Sequence, residues 1–360
     1  MEWKEDVLGN VLEVKYGKDH KKLADGQYPV YGSGGLMRYV DSKLYDGPSI
    51  LIPRKGTLNN IMFVDNPFWT VDTMFWSIIN TDKVDPKFLF YSICKRDFAS
   101  MNVGSAVPSM TVNILNDIQI SYPKNIDDQR RIASILSSLD RKIELNNKIN
   151  ADLEEMAQAF FKNWFVDFEP FKDGKFVDSE LGMIPEGWKV GTLGELCNFK
   201  RGKNLLTKNA IDEGVPVVAG GLEPSCYHNI ANTGAPVITV SGSGANAGFM
   251  RMYHVPVWAS DCSFIDISCE NFYFVYCFLK VNSKLLKHAQ TGAVQPHVKP
   301  SDIHDFELVI PDKESIYDFQ DKVKPFFDRI ASLQKENSRL SLLRDTLLPR
   351  LMSGELEVPE

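Results

Sequence analysis

Two long stretches of the chain repeat apolar residues every three or four positions, and the remainder alternates short apolar runs with glycine and proline. The periodic stretches cover residues 126–165 and 313–352. Heptad spacing of this kind predicts long amphipathic helices that pack on one another. The short runs, such as 49–53 and 61–64, predict strands. We therefore expect a strand-rich block followed by a long helix, and then the same arrangement again.

The two halves of the chain are copies of one another. Seven residues, Trp3, Lys4, Leu8, Gly9, Lys15, Gly17 and Lys18, recur as Trp188, Lys189, Leu193, Gly194, Lys200, Gly202 and Lys203. Further on, Trp69, Asp72 and Phe75 are expected to correspond to Trp258, Asp261 and Phe264. The seam 184–188 resembles the last residues of the chain read on into the first. This pattern predicts a pseudo-two-fold particle whose two chain ends lie close together.

The predicted fold class is α+β, with two similar domains separated by two long antiparallel coiled-coil helices. The divisions are 1–125 for the first strand-rich domain, 126–165 for the central helix, 166–186 for a connector, 187–312 for the second domain, 313–352 for the C-terminal helix and 353–360 for a tail.

Each predicted helix carries one asparagine near its middle, in the seam of apolar positions. These are Asn146 and Asn337. A buried asparagine in a coiled coil lowers stability and is kept mainly where it fixes the register of the helices. We expect that role for both residues; the alternative is that they face solvent at a wide seam. Each helix would be about 58 Å long at 1.5 Å per residue.

Composition indicates a globular protein, with 44% hydrophobic and 24% charged residues. The net charge of −7 argues against a nucleic-acid binder that works alone. The excess of acid is concentrated in residues 126–186, which hold 13 acidic and 8 basic groups. We expect no membrane span, since no apolar run approaches about 20 residues, and six reduced cysteines in a cytoplasmic protein.

Signals for catalysis are missing from the sequence. Asn66-Pro67-Phe68 lacks the second proline of an adenine methyltransferase motif, and the glycine-rich 242–248 follows a strand without a helix pattern after it. No phosphate-binding GxxxxGK[S/T] occurs. Cys226 and His228 have metal-ligand types but no second pair, and a structural thiol with a surface histidine is the favoured reading. We predict no catalytic residue, no metal site and no bound cofactor.

Several segments, taken in order, resemble the specificity subunit of type I restriction–modification systems. The segments are 161–170 (FKNWFVDFEP), 347–356 (LLPRLMSGEL), 184–188 (IPEGW) and 129–133 (QRRIA). The resemblance covers essentially the whole chain.

The resemblance implies a non-catalytic subunit with two target-recognition domains. Each domain would read one half of an asymmetric, bipartite sequence in double-stranded DNA, and the helical pair would set the gap between the halves. The helices would also bind two methyltransferase subunits that use S-adenosylmethionine to methylate adenine at N6. A restriction subunit driven by ATP can join such complexes. S-adenosylmethionine, ATP and magnesium are thus expected only on partner subunits.

Candidate DNA contacts are sought where the two copies are polar and differ, because base reading needs paired donors and acceptors on stiff loops. The candidates in the first half are Arg54, Lys55, Thr57, Asn59, Asn60, Ser105, Ser109 and Thr111, and those in the second half are Ser241, Ser243, Asn246, Gln295, His297 and Lys299. Arg54 is the strongest, since arginine with guanine is the commonest specific contact. Lys200, Arg201 and Lys203, with Lys15 and Lys18, are expected to contact phosphate.

Apolar residues outside the helical seam predict where partner subunits dock. They are Leu136, Ile143, Phe327, Leu343 and Leu348; the alternative is that they pack on the chain's own domains. Two other functions stay open from the sequence. One is a protein-binding scaffold or silent specificity cassette without DNA recognition, and the other, disfavoured by the missing cofactor motifs, is a stand-alone DNA-modifying enzyme.

Overall fold

The computed structural model describes residues 1–102, 108–291 and 296–358. The chain forms two compact units. Unit 1 consists of Met1–Leu145 and Glu336–Glu360, and unit 2 of Asn146–Lys335. Each long helix begins in one unit and ends in the other, so each unit contains one half of both helices.

The globular part of unit 1 is built from short strands and two short helices. In chain order they are β1 (Trp3–Val7), β2 (Leu12–Tyr16), β3 (Tyr28–Gly32), β4 (Gly35–Val40), β5 (Ser49–Pro53), β6 (Met62–Val64), β7 (Trp69–Thr70), β8 (Met74–Ile79), α1 (Pro86–Ile93), α2 (Val112–Asn116) and β9 (Gln119–Pro123). The first long helix is α3 (Ile126–Phe165). It covers the predicted residues.

Unit 2 repeats this order after a two-stranded connector. Its elements are β10 (Phe176–Val177), β11 (Ile184–Pro185), β12 (Lys189–Thr192), β13 (Lys200–Arg201), β14 (Val215–Val218), β15 (Cys226–His228), β16 (Val237–Ser241), β17 (Met250–Tyr253), β18 (Trp258–Ala259), β19 (Cys262–Asp266), α4 (Phe272–Val281), α5 (Ser283–His288), α6 (Pro300–His304) and β20 (Glu307–Ile310). The second long helix is α7 (Lys313–Met352), again over the predicted residues.

The sheets of the two units have the same topology. Unit 1 has sheets ordered β2-β8-β5-β6, β4-β3-β7 and β1-β9, and unit 2 has β13-β19-β16-β17, β15-β14-β18 and β12-β20. All pairings are antiparallel except β3 with β7 and β14 with β18, which are parallel at corresponding places. The α+β class and the internal duplication are confirmed.

One detail of the predicted correspondence is wrong. Phe75 lies opposite Tyr16 and Ile52, whereas the matching rung in unit 2 joins Ser263 to Arg201 and Val240. Phe75 therefore matches Ser263 and not Phe264. The turn between the tryptophan strand and the next strand is one residue shorter in unit 2, which shifts the alignment by one position.

The central strands β5 and β16 are buried along their whole length. Their apolar runs, Ser49–Pro53 and Val237–Ser241, are covered on both faces, as a short continuous apolar strand requires. In unit 1 the main core joins Leu8, Ile50 and Phe88 to Leu136 on α3. In unit 2 it joins Phe272, Phe274 and Phe319 to Phe161.

The two long helices are antiparallel within each unit. In unit 1, Nη1 of Arg344 on α7 lies 2.7 Å from a carboxylate oxygen of Asp140 on α3, and Nζ of Lys142 lies 3.6 Å from a carboxylate oxygen of Glu336. In unit 2, the rings of Phe160 and Phe326 are 5.9 Å apart, and those of Phe161 and Phe319 are 5.8 Å apart. Residue numbers rise along one helix as they fall along the other.

Three of the five residues predicted to dock a partner are part of the core, so this prediction is wrong for them. Leu136 is fully buried, Leu348 is 5% exposed and Phe327 is 1% exposed, with its ring stacked 5.0 Å from Tyr273. The globular part of the same unit covers these helix positions. Ile143 is half-buried and Leu343 is 46% exposed, so they alone stay candidates.

The two helix asparagines differ in burial. Asn146 is fully buried, which contradicts a solvent-facing position, and Asn337 is half-buried. Their role in fixing register stays a prediction.

The first and last described residues meet within unit 1, as predicted. The amino group of Met1 lies 3.4 Å from a carboxylate oxygen of Glu357, and the Trp3 indole packs over Gly354, where a Cβ would contact the ring. In unit 2, Trp188 packs against the rings of Phe165 and Phe171. None of the described helices is long and apolar enough to cross a membrane.

Candidate nucleic-acid interface

In unit 1, the loop that follows β5 is tied to the segment that precedes α2. Lys55 and Ser109 form an antiparallel bridge, the Gly56 N–H donates to the Pro108 carbonyl at 3.3 Å, and the Met110 N–H donates to the Arg54 carbonyl at 2.9 Å. The predicted contact residues 54–60 and 109–111 are therefore brought together from distant parts of the sequence.

Unit 2 makes the same backbone contacts after β16. Ser243 and His297 form the bridge, the Gly244 N–H donates to the Pro296 carbonyl at 3.1 Å, and the Val298 N–H donates to the Gly242 carbonyl at 3.1 Å. The candidates Ser243 and His297 are thus adjacent, as Lys55 and Ser109 are in unit 1.

A tryptophan anchors the turn beside each loop. The Trp69 indole N–H donates to the Lys18 carbonyl at 2.9 Å, and the Trp258 indole N–H donates to the Lys203 carbonyl at 2.8 Å. These bonds hold Lys18 and Lys203 at corresponding positions, with both side chains exposed. Basic groups held this way on a fixed turn suit phosphate contacts.

Arg54 is held at the edge of the unit 1 loop by two contacts. Its Nε donates to the Asp72 carbonyl at 3.0 Å, and its guanidinium lies 5.8 Å from the centre of the Tyr16 ring. Among the residues that the structure describes, its terminal nitrogens Nη1 and Nη2 make no hydrogen bond or ion pair. A guanidinium fixed at Nε still presents the planar donor pair that matches two neighbouring acceptors.

Arg201 lies in a comparable place in unit 2 but has an acidic partner. Its Nη2 donates to the Asp261 carboxylate, which also accepts from the Ser243 hydroxyl. The guanidinium covers Gly242, where a Cβ would overlap it. Arg201 and Asp261 have side chains that are 45% and 31% exposed, so the pair faces solvent.

Three predicted contact residues in unit 1 are engaged in holding its loops. Thr111 caps α2 by accepting from the Ile114 N–H at 3.4 Å. Asn59 donates to Asp97 and accepts from the Ala99 N–H at 2.9 Å, and Asn60 donates to the Ser33 carbonyl at 2.8 Å. Their hydrogen-bonding groups are used within the protein, mostly for backbone partners.

In unit 2, Ser241 is 3% exposed and its hydroxyl donates to the Gly220 carbonyl at 3.2 Å. Its prediction as a base contact is wrong, because the residue completes the buried strand β16. Lys299 is exposed and directly precedes α6, with its N–H donating to Asp302 at 2.8 Å. Asn246 is half-buried in the glycine-rich loop, where its carbonyl accepts from Phe249.

The remaining candidates stay predicted DNA contacts. Lys55, Thr57, Lys200 and Lys203 are exposed, and Ser109 and His297 are half-buried beside them. Lys15 is less available, since it pairs with Glu13 at 2.5 Å. Ser105 and Gln295 lie outside the described residues.

Sequence reasoning missed Tyr16 and gave no role to the aspartates that hold the two arginines. Asp72 and Asp261 are shared by both copies at the same distance from a tryptophan, so the repeat contained the signal. Tyr16 has no tyrosine counterpart, because Arg201 occupies its position, and none of the candidates chosen from the sequence was an aromatic residue.

His228 and three cysteines, Cys197, Cys262 and Cys277, are buried, and the other three cysteines are half-buried. Burial raises the pKa of the Cys262 thiol to about 12 and that of Cys94 to about 11, so both are protonated at neutral pH. His228 is 8% exposed, with its ring 4.7 Å from that of Trp258, so the expected surface histidine is instead part of the core. Across 1–102, 108–291 and 296–358, no group of three His, Cys, Asp or Glu side chains is placed to hold a metal ion.

Two similar units, each presenting an arginine and exposed lysines from tied loops, define a duplicated recognition protein. The model of the type I restriction modification DNA specificity domain matches residues 1–155 and again 185–340, and the chain belongs to this family. Specificity subunits are the non-catalytic components of restriction–modification complexes, in agreement with the prediction that the chain is not an enzyme.

Relatives of similar length carry the same description. The MjaIX specificity subunit of Methanocaldococcus jannaschii is 30% identical over 94% of this chain and 86% of its own, and the HindI specificity subunit of Haemophilus influenzae is 27% identical over 82% and 83%. The crystal structure of a type I restriction–modification S subunit from M. genitalium has a TM-score of 0.64 at 18% identity, covering 98% of this chain and 96% of the other. That likeness confirms the fold.

Proposed function

We propose that the chain selects the DNA target of a type I restriction–modification complex, with each unit reading one half of an asymmetric, bipartite sequence in double-stranded DNA. The observation that carries the proposal is the repeated loop pair. The loops after β5 and β16 have the same backbone contacts but different polar side chains. One scaffold with two recognition surfaces suits a target with two different halves.

The exposed positive charges of both units support DNA binding by both. Lys18, Lys55, Lys200 and Lys203 are exposed around the two arginines, although the chain as a whole carries a charge of −7. Phosphate contacts supply much of DNA affinity, so a partner subunit would provide the remaining positive charge. This fits a subunit that binds DNA within a complex in the cytoplasm.

The helices would set the gap between half-sites and bind the partners. The partners are two methyltransferase subunits, which a restriction subunit can join. Ile143 and Leu343, both in unit 1, are the predicted docking residues that are not fully covered by the chain itself. S-adenosylmethionine, ATP and magnesium would be bound by the partners, and this chain would hold no cofactor.

A base-resolution map of N6-methyladenine in the source cells, with and without this gene, tests the proposal. We expect one bipartite motif to lose its methylation when the gene is deleted, and the motif itself would give both half-sites and the gap. An unchanged map would contradict the proposal and favour a silent cassette or a protein-binding scaffold.

A further inference from the structure

The two recognition arginines come from different strands but reach the same place in their units. In unit 1, Tyr16 and Ile52 flank Phe75, and in unit 2 Arg201 and Val240 flank Ser263. Arg201 thus occupies the position of Tyr16. Gly242, two residues after Val240, occupies the position of Arg54.

The position that carries the arginine in one unit carries the residue beneath the arginine in the other unit. In unit 1 the arginine follows the central strand β5 and lies over an aromatic ring on the edge strand β2, on the far side of β8. In unit 2 the arginine is on the edge strand and lies over a glycine that follows the central strand. A side chain at position 242 would displace the Arg201 guanidinium, so the glycine makes room for it.

Each arginine is also held by a hydrogen bond to the corresponding turn of its own unit. Arg54 donates to the backbone carbonyl of Asp72, and Arg201 donates to the carboxylate of Asp261. Each contact uses part of the guanidinium, which has five N–H donors. The rigid turn fixes the direction of the remaining N–H donors. Recognition of two acceptors at once requires donors that are held in place in this way.

The pairing with Asp261 argues against the phosphate contact expected for Arg201. A phosphate placed on this guanidinium would also approach the Asp261 carboxylate, and the like charges would repel. A base edge carries no net charge and meets no such penalty. The paired acceptors N7 and O6 of guanine in the major groove match an arginine fork.

We propose that Arg54 and Arg201 are equivalent base-reading residues, each of which recognises one guanine in its own half of the DNA target. The inference rests on the proposed function, and it reassigns Arg201 from phosphate to base. It also makes Asp261 a positioning residue, because this carboxylate accepts from the guanidinium and orients it.

The test uses the substitutions Arg54→Lys and Arg201→Lys in the complete complex. Lysine keeps the positive charge but loses the planar fork, so a phosphate contact would survive and a bidentate base contact would not. The N6-methyladenine map gives the target of the wild type. Duplexes that carry this target, with each guanine replaced in turn, then give the binding preference at each position.

We expect Arg201→Lys to reduce discrimination by roughly 10- to 100-fold at one guanine in one half-site. Arg54→Lys should do the same at one guanine in the other half. Lys203→Met is the matched contrast, since it should weaken binding to all duplexes alike and lower the slope of log affinity against log salt by about 0.9. Thermal unfolding of each variant shows that the fold is retained.

An unchanged motif for Arg201→Lys, or a half-site without guanine, would overturn the inference while leaving the proposed function in place. Equal losses at every position of both halves would also overturn it. If no methylated motif depends on this gene, the proposed function fails and the inference fails with it.

Discussion

At the scale of single residues, two glycines allow the interface turns to pack against the backbone that directly follows β7 in unit 1 and β18 in unit 2. Gly17 and Gly202 occupy matching positions, and a Cβ at either would overlap a carbonyl oxygen, that of Val71 or that of Ser260. Carbonyl oxygens of the main chain cannot move aside as a flexible side chain can. The turns that carry Lys18 and Lys203 therefore depend on glycine for close approach.

We predict that Gly17→Ala and Gly202→Ala each destabilise the protein by about 2–3 kcal/mol, because the added methyl group forces the backbone apart. Urea denaturation measures the effect. Gly34→Ala is the matched control, since a Cβ there has no neighbour within 4 Å. Equal stability of Gly17→Ala and Gly34→Ala would contradict this account.

The repeat in the sequence identified these glycines, but it could not assign the polar residues between them. Thr111, Asn59 and Ser241 were chosen because their side chains can bond a base. The same side chains can bond a neighbouring backbone group, and in this fold they do. Only the three-dimensional position of each group decides between the two uses.

At the scale of elements, the long helices were predictable and the surfaces that they present were not. Heptad spacing over 40 residues fixed the bounds of α3 and α7. The same spacing gives no information on which side of a helix is covered by its own unit, and so Leu136, Phe327 and Leu348 were misplaced. Strands of two residues, such as β7 and β18, are too short for any periodic signal.

One cluster in unit 1 joins α1 to both long helices. Asp140 of α3 accepts from the Tyr91 hydroxyl at 2.6 Å and from Arg344 of α7 at 2.7 Å. Burial, together with the hydrogen bond to Asp140, raises the pKa of Tyr91, so its hydroxyl stays a donor at neutral pH. The side chains of Asp140 and Arg344 are only 26% and 23% exposed, and solvent screens their attraction incompletely.

A double-mutant cycle should show this pair to be strongly coupled. We expect a coupling free energy of about 1–2 kcal/mol between Asp140→Ala and Arg344→Ala, measured by urea denaturation. The control is the pair Lys324 and Asp328 on α7, which lie 2.6 Å apart but are 55% and 58% exposed. Its coupling should be about 0.3–0.5 kcal/mol. Similar values for the two pairs would show that burial adds nothing.

At the scale of the whole molecule, the two copies share a fold and differ on the loops of the candidate interface. Glycines and tryptophans shared by the copies anchor the turns, and the polar residues on the loops after β5 and β16 differ between the copies. Under the proposed function, we expect a change confined to one unit to alter one half-site and leave the other unchanged. The continuous helices α3 and α7 belong to both units, and we therefore expect their length to alter the gap alone.

Removing seven residues from each helix tests this separation. Deleting 144–150 from α3 and 335–341 from α7 keeps the heptad pattern and spares Ile143 and Leu343. The helices become about 10 Å shorter at 1.5 Å per residue. At about 3.4 Å per base pair, the gap in the methylated motif should shorten by at most about three base pairs.

The methylation map of the altered strain gives the result directly. Both half-sites should be unchanged, because the loops after β5 and β16 are not touched. Deleting the segment from α3 alone is the control; it leaves the helices unequal and should abolish methylation, since the antiparallel contacts of at least one unit are lost. A changed half-site with an unchanged gap would show that the helices do not set the spacing, and that target length is determined within the recognition units.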